Sequence, residues 1–287
     1  MIDTVIVGIE DTDEARDALR FARLFGAVEG ARLHVVSVHR ATVFYEGAAE
    51  IEAARAAYFD EMLQMAQAEL GDQFEFHRLV EISPPAGLTE VAERIGADVV
   101  VIGSSHRGPI GRVLMGGAGS RLAAGSPCAV IVTPRGWSRE GTTTLRRIGV
   151  AFNTSAEAAA ALDFGLELQR GLGAELTLIG VVPEVIAAGR IGHTNRGFEE
   201  ILREDMEELI GETLARIGSD GVGHQVREGH AADELAAASI DLDLLVLGSR
   251  GYGPLRRVLL GGTSVKVMRS SACPVVIVPR SVGRESA

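Results

Sequence analysis

Short runs of aliphatic and β-branched residues recur along the chain, each followed by a stretch whose apolar positions fall at helical intervals. Thr4 to Ile9 is the first run. It has almost no polar interruption, which suits a strand covered on both faces. Asp13 to Phe25 follows, with Ala15, Leu19, Ala22 and Phe25 on one helical face. The same reading predicts strands at Ala31–Val38, Phe74–Val80, Asp98–Ile102 and Cys128–Thr133. Between them it predicts helices at Ala48–Leu70 and Leu88–Ile95, and a helix containing Ser120–Ala124. A second series follows, with strands Arg147–Phe152, Glu175–Val181, His224–Glu228, Leu242–Leu247 and Pro274–Val278. Its helices are Ala156–Leu168, Phe198–Ile217, Ala232–Ser239 and Ser264–Arg269. Strands that alternate with helices and are buried on both faces predict parallel, doubly wound α/β units.

The two series are copies. Val99-Val100-Val101-Ile102-Gly103-Ser104 returns as Leu244-Leu245-Val246-Leu247-Gly248-Ser249, and the same offset of 145 carries Gly116-Gly117 onto Gly261-Gly262 and Cys128 onto Cys273. Nearer the front the offset is 143, with Val7-Gly8-Ile9 on Val150-Ala151-Phe152. A drift of two residues is what one loop change produces, so the chain is an internal duplication. The polar stretch Pro134–Thr142 separates the copies, giving expected domains at residues 1–138 and 145–281.

Composition removes several function classes. The 287 residues carry 28 Lys and Arg against 39 Asp and Glu, a net charge of −11, with 5% aromatics. An acidic, aromatic-poor chain is unsuited to nucleic acid. No apolar run is long enough to span a bilayer, and the start lacks the pattern of a signal peptide, so a cytoplasmic protein is expected. Two cysteines are too few for a disulfide framework or a cysteine metal cluster and read as buried thiols. Lys266, the only lysine, follows no Walker A loop. His34 and His39 are five apart and His224 and His230 six apart, so linear spacing offers no metal motif. Gly103-Ser104-Ser105-His106-Arg107 lacks the second glycine of a nucleophile elbow.

Candidate chemistry lies beyond the fourth strand of each copy, where ligands bind in open parallel sheets. In the second copy Gly248-Ser249-Arg250-Gly251 ends the strand, and Gly261-Gly262-Thr263-Ser264 opens a helix. Glycines let backbone N–H groups approach an anion, and a helix N-terminus favours it. Arg250, Arg256 and Arg257 supply cationic side chains. Such glycines also make plain tight turns, and the residues alone leave both readings open.

The spacing Gly248-x2-Gly251-x9-Gly261 resembles the nucleotide signature of the universal stress protein family. Asn153 after strand one, Gly229 after strand three, Asp243-Leu244-Leu245-Val246 and Cys273-Pro274-Val275 match that family's surroundings. The resemblance covers nearly the whole chain. It implies two tandem Rossmann-like, adenine-nucleotide alpha hydrolase-like domains, each a five-stranded parallel sheet flanked by helices. It also implies pairing through the fifth strands into an internal pseudo-dimer, with further homodimerisation left open. ATP (or ADP or AMP) with Mg²⁺ is the implied ligand. The positions carried over are Asn153 at the ribose, Val181 at the adenine, and Gly248, Ser249, Gly251, Gly261, Gly262, Thr263 and Ser264 at the phosphates, with Leu247 and Arg250 also expected in the cofactor site. Asn153 stands where the family has Asp, and Gly262 where it has Ser or Thr. The first copy offers Glu10, Val38, Gly103, Ser104, His106, Gly116 and Gly117. His106 replaces the middle glycine there, so the second copy is expected to bind better. No residue is placed as a general base, so a stress-response sensor or regulatory module with at most slow ATP hydrolysis is expected. The alternatives are an ATP-independent scaffold and, more remotely, a phosphohydrolase.

Overall fold

The computed structural model describes residues 2–27, 30–41, 48–105, 109–137, 144–184, 196–218, 220–249 and 261–279. Ten strands form one sheet: β1 (Thr4–Ile9), β2 (Arg32–Arg40), β3 (Glu75–Glu81), β4 (Val99–Gly103), β5 (Ala129–Thr133), β6 (Arg147–Phe152), β7 (Glu175–Val182), β8 (Val222–Glu228), β9 (Leu244–Gly248) and β10 (Val275–Val278). Their order is β3-β2-β1-β4-β5-β10-β9-β6-β7-β8. Pairing is parallel within each half and antiparallel between β5 and β10, where Val132, Ile131 and Val130 face Val275, Val276 and Ile277. The expected pairing through the fifth strands is thus the seam of the molecule. Because the seam is antiparallel, the carboxyl ends of the two halves' strands point to opposite ends of the sheet.

Among the described residues eight α-helices cover the two faces. α1 (Asp13–Ala22), α2 (Ala48–Leu70), α5 (Ala156–Leu172) and α6 (Arg196–Ile217) pack on one apolar layer, with Leu19, Met62, Leu162 and Ile210 among its buried members. α3 (Pro84–Ile95), α4 (Gly117–Gly125), α7 (Ala231–Ala238) and α8 (Gly262–Ser270) pack on the other through Val91, Leu122, Leu235 and Val267. Among the described residues no helix is long and apolar enough to cross a membrane.

The local causes repeat between halves. Thr12 caps α1 by accepting from the Ala15 N–H, and Ser155 caps α5 by accepting from Ala158. Asp98, just before β4, accepts from the Asp3 and Thr4 N–H groups and so ties the start of β1 to β4. Asp243 does the same for Arg146 and Arg147 in front of β6. After β5 the chain turns back over α1. There Asp17 accepts from the Gly136 N–H, Arg135 pairs with Glu14, and Trp137 packs edge-on against Phe21.

Boundaries depart from expectation where tertiary context decides them. α3 begins at Pro84 instead of Leu88, since prolines lack only an N–H that the first turn cannot use. α5 runs on to Leu172 and stops at Gly173, whose φ of 65° is left-handed. α1 ends at Ala22 and passes into a 3₁₀ turn at Arg23–Ala27.

Gly103 and Gly248 close β4 and β9 for a packing reason. A Cβ at Gly103 would sit far inside contact with the Glu14 carbonyl oxygen, and one at Gly248 inside contact with that of Glu157. The first turns of α1 and α5 therefore rest directly on these strand ends. Gly103→Ala and Gly248→Ala are each expected to cost about 1–3 kcal/mol by urea unfolding; an unchanged midpoint would contradict this packing role. Cys128 and Cys273 are buried, and desolvation pushes each thiol up to about 12 from an ordinary value of 9.0. Between those values the folded state holds protons that the unfolded state releases. Their contribution to stability is therefore present below about pH 9 and is lost as pH rises through the folded value. Iodoacetamide at about pH 8 is expected to leave both thiols unlabelled until denaturant is added, and prompt alkylation of the native protein would refute their burial.

Candidate functional site

At the carboxyl ends of β6, β7 and β9 a cavity of about 630 Å³ opens between α5, α7 and the start of α8. Its size is that of a small-molecule site. Eight expected residues line it: Asn153, Val181, Leu247, Gly248, Ser249, Gly261, Thr263 and Ser264.

Each arrives for a local reason. Asn153 follows β6, and its Oδ1 accepts from both the N–H and the hydroxyl of Ser155, at 2.9 and 2.6 Å. That turn spends the amide oxygen on the entry to α5 and leaves the amide nitrogen to donate. Val181 is half-buried near the end of β7. Gly261 precedes α8 with extended backbone and caps it with no side chain. The first intrahelical bond runs from Val265 N–H to the Gly261 carbonyl. The N–H groups of Gly262, Thr263 and Ser264 thus belong to the unsatisfied first turn, where the helix end carries positive potential. Gly262 itself is exposed, and none of the described residues lies within 4 Å of where its Cβ would stand. Arg250, Gly251, Arg256 and Arg257 lie outside the described residues, as does His106.

Ser249 is buried, and its Oγ has no partner among the described residues. Its counterpart Ser104 donates to the Leu114 carbonyl and accepts from the Leu114 N–H. The residue in register with Leu114 is Leu259, outside the described residues.

Sequence reasoning missed the apolar wall made by Ile179, Ala231, Leu235 and Ala158, and the polar Glu157 beside it. Gly229 serves this region indirectly: its φ of 142° turns the chain from β8 into α7, a conformation that needs glycine.

The first half holds Glu10, Val38, Gly103, Ser104, Gly116 and Gly117 at the matching strand and helix ends, with Gly116 preceding α4 as Gly261 precedes α8. Its packing differs. Val38 is buried against α3, where a Cβ on Gly87 would come within 2.8 Å of the Val38 Cγ2. Its counterpart Val181 lines the open cavity.

At the amino ends of β2 and β3, His34 meets His77 across the strand pair, with Nδ1 to Nε2 at 3.0 Å, and Glu75 stands beside both. Linear spacing could not show this, because the residues come together only through strand register. Burial lowers the pKa of both imidazoles. Glu75 opposes that shift at each ring, while His77 and Arg32 reinforce it at His34 and Arg94 does so at His77.

The universal stress protein family profile matches residues 1–134 and again 144–279. Over 296 aligned residues the chain is 28% identical to a universal stress protein of Mycobacterium tuberculosis strain H37Rv, covering 96% of this chain and 99% of the relative. Among solved structures, a universal stress protein from Archaeoglobus fulgidus DSM 4304 matches with a TM-score of 0.70 at 20% identity, over 98% of this chain and 99% of that one. A structure from Pseudomonas aeruginosa UCBPP-PA14 described as a putative universal stress protein matches with a TM-score of 0.67 at 17% identity, over 97% and 94%. At those identities the structural likeness shows a shared fold, while the profile covers both copies. The chain belongs to the universal stress protein family, with one family segment in each half.

Proposed function

We propose that this protein is an adenine-nucleotide-binding module of the stress response, with ATP held in the second half. The observation that carries the reading is the cavity beyond β9, where eight residues expected from the sequence converge on an uncapped helix N-terminus. In this reading the phosphates meet the first-turn amides of α8 and the hydroxyls of Thr263 and Ser264. Asn153 donates to a ribose hydroxyl, and the adenine lies against Val181 and the apolar wall of Ile179 and Leu235. Mg²⁺ enters with the phosphates, because a hard cation that keeps several waters is bound largely through phosphate oxygens.

The first half is proposed to bind more weakly. Closure of α3 over Val38 supports this, since it buries the position whose counterpart, Val181, lines the open cavity of the second half. A sensor or regulatory role with slow hydrolysis fits better than an enzyme. Among the described residues lining the cavity Glu157 is the one charged side chain, and no histidine, cysteine or second carboxylate of that lining stands with it as an acid–base or nucleophilic pair.

Gly262→Asp separates binding from folding. A carboxylate in the first turn of α8 favours the helix, and among the described residues nothing stands within 4 Å of the Cβ position, so thermal stability is expected to hold. The same charge repels phosphate, and Mg-ATP affinity by calorimetry is expected to fall by at least about tenfold, the equivalent of 1.4 kcal/mol. Nucleotide released from the denatured wild-type protein is expected near one per chain. Absence of release, together with no uptake of added Mg-ATP, would overturn the reading in favour of an ATP-independent scaffold.

A further inference from the structure

The cluster of His34, Glu75 and His77 lies at the amino ends of β2 and β3, away from the glycine turns of its own half. Parallel register places His34 opposite Glu75 and Val36 opposite His77, so all three side chains leave the same face of the sheet. The two imidazoles are about nine-tenths buried, with side-chain exposures of 9% and 11%, while Glu75 is 66% exposed. Four atoms converge: His34 Nδ1 lies 3.0 Å from His77 Nε2, and the two Glu75 carboxylate oxygens stand one at each ring, Oε2 at 3.5 Å from His34 Nδ1 and Oε1 at 3.5 Å from His77 Nε2.

We propose that His34, Glu75 and His77 bind a first-row divalent metal ion, Zn²⁺ by preference, as a three-ligand site with its fourth position open to water. Ligands about 2.0–2.1 Å from a tetrahedral Zn²⁺ lie roughly 3.3 Å from one another, and the three separations here bracket that value. Two histidines and one glutamate are a donor set that zinc uses in open sites. The sheet presets both rings, so little ordering is left for the ion to impose. Access is present as well: His34 and Glu75 line a cavity of about 590 Å³ together with Arg32, Phe74 and Leu70. Neutral imidazoles are the ligating form, and burial favours that form.

Two features set the strength. Arg32 and Arg94 act on the rings as positive charges and oppose a dication, against the chain's net charge of −11. The buried Nε2 of His34 has no partner among the described residues, so this ligand lacks the outer hydrogen bond that usually braces a metal-bound histidine. Binding is therefore expected in the micromolar range, about 10–100-fold short of a fully braced site. Among the described residues the second half has no copy of the cluster. The same register positions there are Thr177, Gly223 and Gln225, which predicts one ion per chain.

The test uses the untagged, nucleotide-free full chain, so that its outcome does not depend on the nucleotide site. Equilibrium dialysis against Zn²⁺ with elemental analysis is expected to give one ion per chain. Added Co²⁺ is expected to give visible absorption of tetrahedral intensity that Zn²⁺ displaces. Glu75→Gln, at an exposed position that should not disturb folding, is expected to weaken binding by about 10–100-fold or more, and His77→Gln to abolish the cobalt spectrum. Should His77→Gln fail to fold, Glu75→Gln decides alone. No bound ion above buffer controls would overturn the site and leave a hydrogen-bonded histidine pair. Equal affinity and stoichiometry in wild type and Glu75→Gln would overturn it equally, as adventitious binding elsewhere.

Discussion

The antiparallel contact of β5 with β10 is the constraint on which the molecule's organisation rests. Val130, Ile131 and Val132 meet Val275, Val276 and Ile277, and all six are fully buried. Apart, each half would present a short apolar strand with unpaired backbone groups, an arrangement that invites association. Joined, they leave β3 and β8 as the outer edges, and these strands carry glutamate, arginine and histidine. Smaller contacts reinforce the seam. Arg112 donates to the Ser270 carbonyl, and the Val113 N–H donates to that of Ser271, so the segment before α4 in one half leans on the end of α8 in the other.

Much of the architecture was legible in the sequence because a buried parallel strand has few alternatives. The runs at Thr4–Ile9 and Ala31–Val38 are largely apolar and bounded by polar residues, and the repeat gives each of them again, at Arg147–Phe152 and Glu175–Val181. The signature residues of the second half were legible for a different reason: their spacing resembles a known family. What stayed hidden depended on contacts between distant segments. Nothing local in Gly103 or Gly248 says that a helix carbonyl rests on them. Nothing in the spacing of His34 and His77 says that strand register brings their rings together. α3 starts at Pro84, ahead of the Leu88 that the apolar spacing marks, because a first turn accepts prolines.

The halves share a frame and differ in what it surrounds. Asp98 and Asp243 tie strand starts in the same way, and Ser126 and Ser271 each donate to the carbonyl of the cysteine two residues on. Two of the differences lie at the ends of the strands. In the second half α7 stands off Val181 and a cavity remains, whereas in the first α3 closes on Val38. The amino ends differ in the opposite sense, with the histidine pair in the first half and Thr177 and Gln225 in the second.

The covalent link through residues 134–146 alters the thermodynamics of the seam. Two separate copies meeting through so short a contact would come apart on dilution, since their association would depend on protomer concentration. Here each half meets its partner at a fixed effective concentration set by the connecting segment. The paired state therefore keeps its population at any abundance in the cell. It also frees evolution from symmetry: a mutation in a homodimer changes both copies at once, whereas one in this chain changes a single side.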